Sequence, residues 1–276
     1  MRLLSRFPFV SILGISLLIS CSKSKVKDPV VAQKSISCLS SSLSAGVIVF
    51  YPFSNGSLND FSGNNCHLTN QTLANSCSDR NNNSNCAYQF HYGTNSIDFL
   101  KFVNPTFLNS LDSYSVSLWY EALDTNRSGN IYETLISRDS VLQCPDRIGQ
   151  WSIGLFDCRK AVFGRFNSVW DNNVISYLDC HLELKARTGS WHHLVATFNK
   201  NNNYEMKIYR DGMLQNFKNG IVSCGQNNNP VTVQDIGDLF IGYKFNGKID
   251  DIIIYNYSIS QNIVQQLFNL QTCCAD

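Results

Sequence analysis

The chain has 276 residues, of which 43% are hydrophobic, 12% aromatic and only 16% charged. That is enough apolar material for a sizeable core, and asparagine, with 31 copies, fills the place usually taken by charge. Charge this sparse excludes a charged disordered tail and a coiled coil, and 22 Lys and Arg against 21 Asp and Glu leave no nucleic-acid footprint.

Arg2 and Arg6 precede an apolar stretch from Phe7 to Ile19 that is interrupted by Pro8 and Gly14. A basic start followed by about 7–15 apolar residues is the pattern of a secretory signal, whereas a spanning helix needs about 20. Residues 1–20 are therefore expected to be a signal peptide. The tetrad Leu18-Ile19-Ser20-Cys21 resembles the lipobox of bacterial lipoproteins. That resemblance implies cleavage before Cys21 and acylation of its sulfur and amine, the double signal that stable anchoring requires. It also implies a place in the bacterial cell envelope, at the outer membrane or cell surface, with the membrane as a partner through lipid. Residues 21–45, with Lys23, Lys25, Lys27 and Ser40-Ser41-Ser42, read as a flexible tether. Residues 46–276 read as one domain.

The 11 cysteines point the same way, because an odd count in a secreted chain needs a reason. With Cys21 given to lipid, Cys38, Cys66, Cys77, Cys86, Cys144, Cys158, Cys180, Cys224, Cys273 and Cys274 remain. An even set in an oxidising compartment is expected to pair fully as disulfides. No C-x-x-C or Cys/His spacing suits zinc.

Beyond Gly46 the pattern is short apolar runs of period two between Asn/Gly/Ser clusters. The runs are Val47–Phe53, Ser115–Ala122, Trp151–Phe156, Ala161–Phe166, Val174–Leu178, Trp191–Phe198, Tyr204–Tyr209, Leu239–Tyr243 and Ile249–Tyr255. This predicts an all-β sandwich or barrel. Asp211-Gly212 predicts a tight hairpin turn with both residues at positive φ. Only Ser258–Phe268 has helical spacing, with Ser260 as its cap.

Four blocks resemble laminin G-like, concanavalin A-like lectin domains. They are YPFSNGSLNDFSGNN (Tyr51–Asn65), SYSVSLWYEA (Ser113–Ala122), WHHLVATFNKNNNYEMKIYRDGMLQNF (Trp191–Phe217) and LFIGYKFNGKIDDIIIYNYSIS (Leu239–Ser260). The resemblance implies a two-sheet antiparallel jelly-roll sandwich with a short C-terminal helix. Because first and last strands of a jelly roll are commonly neighbours, Cys38 is expected to meet Cys273 or Cys274. The chain departs from the family in its cysteines and in the Asn-rich insertion Leu73–Ala87.

Asp60 and Asp250 match positions where such domains often hold one structural calcium ion, and loop oxygens suit that ion. The competing reading makes Asp60 a turn-former. Asp251, next to Asp250, is expected to face the other way. His192 and His193 should likewise point to opposite faces, with His193 matching a recurrent structural histidine of the family. Trp119 and Trp191 match core positions. Trp151 and Trp170 do not, and Trp170, beside Asp171-Asn172-Asn173, is the better ligand candidate because sugar rings stack on exposed aromatic faces.

Concanavalin-like glycosidases need paired carboxylates on one strand face. Glu121 and Asp124 come nearest and fall on opposite faces, so the sequence argues against an enzyme. The expectation is a non-catalytic surface lipoprotein whose lectin-like domain binds a neutral polysaccharide. A structural or adhesive contact with a surface protein is the alternative, and an accessory role in a glycan-degrading system is the third.

Overall fold

The computed structural model describes residues 36, 38–93, 96–123, 132–138, 150–156, 159–165, 167–171, 189–221 and 237–271. The signal peptide, Cys21 and the expected run Val174–Leu178 lie outside them. So do Cys144, Cys158, Cys180, Cys224, Cys273 and Cys274.

In chain order the strands are β1 (Val47–Tyr51), β2 (Thr69–Asn70), β3 (Asn75–Cys77), β4 (Ala87–Phe90), β5 (Leu100–Phe102), β6 (Ser113–Ala122), β7 (Glu133–Arg138) and β8 (Trp151–Phe156). They continue with β9 (Lys160–Gly164), β10 (Ser168–Trp170), β11 (Trp191–Asn199), β12 (Glu205–Arg210), β13 (Met213–Lys218), β14 (Leu239–Ile241) and β15 (Gly247–Tyr255). Helix α1 is Ser41–Ser44 and helix α2 is Gln261–Phe268. One sheet runs β13-β12-β11-β6-β15-β4-β3, with β1 beside the second half of β15; the other runs β10-β9-β8-β7-β14-β5-β2. All described pairings are antiparallel. The result is the expected two-sheet sandwich with one short C-terminal helix. Among the described residues no helix is long and apolar enough to cross a membrane.

Period-two alternation places the core. On β6, Tyr114, Val116, Leu118, Tyr120 and Ala122 point between the sheets, where they meet Leu135, Ile153, Phe163 and Leu239 of the other sheet. Trp151 is buried there against Tyr114, with ring centroids 5.6 Å apart. It is a core residue despite falling outside the family pattern.

A second apolar cluster covers the outer face of the eight-stranded sheet. Val264 and Leu267 of α2 pack with Val195, Tyr209, Ile253 and Tyr255. Ser260 caps α2 by accepting from Ile263 N at 3.5 Å. Ile36, Leu39 and Leu43 belong to this cluster too, and Tyr255 Oη donates to Leu43 O at 2.8 Å. The stretch expected to be tether is thus part of the domain from Ile36 onward. Its apolar residues recur at three- and four-residue spacing within a serine-rich background, and they dock on the sheet.

The Asp211-Gly212 turn forms as its residues require, with φ of 49° and 77°. The disulfide expectation divides. Cys38 and Cys86 are disulfide-bonded, whereas Cys66 and Cys77 carry thiols. Cys66 lies in the main core, whose other members include no cysteine, and its thiol donates to Asn64 O. Cys77 faces Ala87 across the β3–β4 pair. Burial is the main reason its thiol is pushed up to about 11, which keeps it protonated.

Candidate functional site

Three places received candidate residues, and the structure keeps them apart in kind. The first is the turn around Asp60. Its Oδ1 accepts from Phe50 N (3.0 Å) and Ser62 N (2.9 Å), and its Oδ2 accepts from Ser62 Oγ (2.8 Å) and Cys66 N (3.1 Å). A carboxylate offers about four lone-pair sites, and all four are taken. Asp60 ties the loop after β1 to both of its ends, which is the turn-forming reading.

The second place lies under α2. Asp250 and Asp251 do not face opposite ways. The β6–β15 register shifts between Asp250 and Ile253, and Asp251 adopts φ of 49°. This bulge turns both carboxylates toward one partner. Arg80, from the Asn-rich loop, donates through Nη1 to Asp250 Oδ2 (3.0 Å) and Asp251 Oδ2 (2.8 Å), and through Nη2 to Leu270 O (2.7 Å). Its guanidinium lies 4.2 Å from the centre of the Trp119 ring, which is stacked on Phe268 at 5.6 Å. Trp119 is therefore buried beneath the helix, outside the core between the sheets. Burial, followed by the Asp251 charge, holds the Asp250 carboxyl well above its ordinary value, and Arg80 opposes this.

His193 sits beside Trp119 with Nε2 2.9 Å from Ser117 Oγ. Burial, then the Arg80 charge, pushes its pKa down to about 3, so the ring is neutral. His192 points to the other face, half-buried, with Nδ1 2.9 Å from Asp211 Oδ2. Burial acts to raise Asp211, but the His192 hydrogen bond and charge outweigh it and hold that carboxyl below its usual range.

This geometry speaks against the calcium site expected at Asp60 and Asp250. Asp60 has no acceptor site to spare, and at Asp250 a guanidinium already stands where the cation was expected. Among the described residues, no group of three or more His, Cys, Asp or Glu could hold a metal ion. The signal for Arg80 was absent from local sequence because its partner lies 170 positions away.

The third place is the outer face of the seven-stranded sheet. On β10, Val169 is buried between the sheets, so the alternation turns Trp170 outward. Trp170 stands opposite Val162, and Val162 opposite Gly154, in one row across the sheet. The Trp170 ring lies 5.9 Å from Phe156, and Phe156 lies 6.5 Å from Tyr132, whose hydroxyl is 2.8 Å from Ser152 Oγ. Gly154 admits the Tyr132 ring: a Cβ there would lie 2.7 Å from Tyr132 Cζ and 2.4 Å from Glu133 O. The outcome is an aromatic strip, Tyr132–Phe156–Trp170, with Trp170 only half-buried at its end. The Trp170 backbone is fixed, since its carbonyl accepts from Asn216 Nδ2 at 3.0 Å and Arg210 bonds Asp171 at 2.7 Å. Asn172 and Asn173 lie outside the described residues. Trp191 is also half-buried, with the Lys248 ammonium 5.9 Å from its ring centre.

The buried carboxylates are each engaged. Glu133 bonds Arg159 at 3.1 Å, Asp171 bonds Arg210, and Asp250 shares Arg80 with Asp251.

No curated protein matches the chain. Among solved structures, the binding domain of botulinum neurotoxin serotype C1 is similar with a TM-score of 0.61 at 18% identity, over 83% of this chain and 53% of that one. A botulinum neurotoxin type C structure, whose cell entry is described as dependent on interaction with two ganglioside molecules, gives 0.59 at 17% identity, over 84% and 53%. The binding domain of botulinum neurotoxin DC in complex with rat synaptotagmin II gives 0.56 at 18%, over 83% and 52%. The chain spans about half the length of these structures, and at such identity the likeness is one of fold. A family model described as the concanavalin A-like lectin/glucanases superfamily matches residues 93–265. That range takes in strands β5 to β15 of the two sheets, the bulge at Asp251 and the first half of α2, and the chain belongs to the concanavalin A-like lectin/glucanase superfamily.

Proposed function

We propose that this is a non-catalytic, lectin-like binding domain that takes a neutral glycan on the strip ending at Trp170. The observation that carries the reading is the placement of Trp170: its carbonyl is held by Asn216 while the residue stays partly exposed on the outer face of the sheet. A fixed, half-open indole backed by a second ring suits stacking against a sugar. The low charge of the chain suits an uncharged polymer better than an anionic one. Arginines hold Glu133, Asp171, Asp250 and Asp251, and four donors fill the Asp60 carboxylate, which supports the non-catalytic part.

Cys21, by the lipobox pattern, carries the lipid that holds the domain at the bacterial envelope. A glycan array probed with the full chain is the test. Binding to a neutral glycan, lost in Trp170→Ala at an unchanged melting temperature, is expected. A silent array together with capture of a surface protein would move the function to adhesion.

A further inference from the structure

The cover on the outer face of the eight-stranded sheet stops short of its edge. α2 reaches the Asp211-Gly212 turn, where Gln261 Nε2 donates to Gly212 O and Phe268 closes over the glycine. Past that point β13 is open. By register, Leu214 faces outward opposite Tyr209, and Phe217 opposite Lys207. Tyr209 belongs to the apolar cluster under the helices, so Leu214 and Phe217 continue that cluster into solvent. They are 43% and 55% exposed, and Met213 and Ile221 at either end are 61% and 57% exposed. Four large apolar side chains thus stand out within nine residues. The strand carries no acidic residue and ends in Lys218.

We infer that this ridge rests on the lipid surface, holding the outer face of the eight-stranded sheet against the bilayer. The inference depends on the reading of Cys21 as the lipid-bearing residue. Three observations select a bilayer as the occupant. The chain from Cys21 enters the domain at Ile36, Leu39 and Leu43, which dock on this same outer face. Fourteen residues lie between Cys21 and Ile36, a length of chain that reaches about 50 Å at most. The anchor therefore keeps this face at a high effective concentration near lipid. Finally, Leu214 and Phe217 form a ridge on this outer face of the edge strand, while Met213, paired with Arg210, turns to the other side. A ridge with a flanking lysine enters the headgroup region without needing a complementary groove.

Hydrogen exchange on the full lipidated chain, bound to phosphatidylethanolamine–phosphatidylglycerol vesicles, tests this against Cys21→Ser in buffer. The amides of residues 213–221 should exchange about tenfold more slowly on vesicles, as expected for an edge strand taken out of water. A Leu214→Ser, Phe217→Ser variant should still float with vesicles, keep its melting temperature and lose that protection. Flotation of the parent chain with unchanged exchange at 213–221 would overturn the docking and leave the anchor intact. A parent chain that does not float overturns both. Protection that grows with protein concentration in the absence of vesicles would show a second copy on the strand instead of lipid.

Discussion

On the outer face of the eight-stranded sheet, Trp119 and His193 lie under Phe268, with Arg80 closing over two carboxylates; on the outer face of the seven-stranded sheet, Trp170 keeps part of its ring in water. Both faces carry a tryptophan on a strand, backed by a second aromatic ring. What differs is the cover. A helix and a guanidinium seal the first, so its polar groups serve stability. The second has a pinned backbone and no helix above it among the described residues, and Trp170 stays partly exposed. Aromatic content alone does not tell a packing tryptophan from a binding one; the element lying above it does.

Breaking the sealed face should have the largest effect. Arg80→Ala leaves Asp250 and Asp251 buried without their cation, and loss of one partner of such a group costs about 3–5 kcal/mol. Chemical denaturation measures it. A loss under 1 kcal/mol would mean that the carboxylates reach water on their own. Added calcium should not move the melting temperature of the parent chain, because the Arg80 guanidinium already bridges the two carboxylates.

The same face should respond to pH. Unfolded, His193 takes a proton near 6.5; folded, it does so only near 3. Because the folded value is lowered, its contribution to stability is complete above about pH 6.5 and is lost as pH falls toward 3. The decline is about 1.4 kcal/mol per pH unit. The parent chain should therefore lose stability faster than His193→Gln across that window. Parallel curves would show that the ring reaches solvent.

On the open face the effect is smaller. Gly154→Ala should cost about 1–3 kcal/mol, since its Cβ would press on Tyr132 and the Glu133 carbonyl. It should also displace the strip on which Trp170 leans, so any glycan affinity should fall with it. Full affinity in this variant would separate Tyr132 from the site.

Much of this architecture is legible in the residues. The long alternating strands β6, β11, β12 and β15 stand out because one side of each is apolar, and the Asp211-Gly212 turn and the Ser260 cap follow from local backbone chemistry. β2, β3 and β5 are too short, at two or three residues each, for period two to register. β7 hides for another reason: Glu133 and Arg138 are buried at its ends, so polar letters occupy core positions. At the sites the boundary is sharper. Trp170 is legible as an aromatic outside the family pattern, and Trp151, by the same logic, turns out to be core. The pairing of Asp250 with Asp251 rests on a bulge that alternation cannot foresee. Their cation comes from a loop far along the chain, in the insertion that departs from the family.

Glycan binding on this face requires that the Trp170 indole meet the sugar. The chain has four tryptophans, and their indole N–H resonances can be followed separately while a neutral oligosaccharide is titrated into the protein. Trp119 and Trp151 are buried and should stay still, and Trp170 should shift in a saturable way that Trp170→Ala abolishes. A saturable shift confined to Trp191, or binding that leaves all four indoles unmoved, would contradict the assignment of this face.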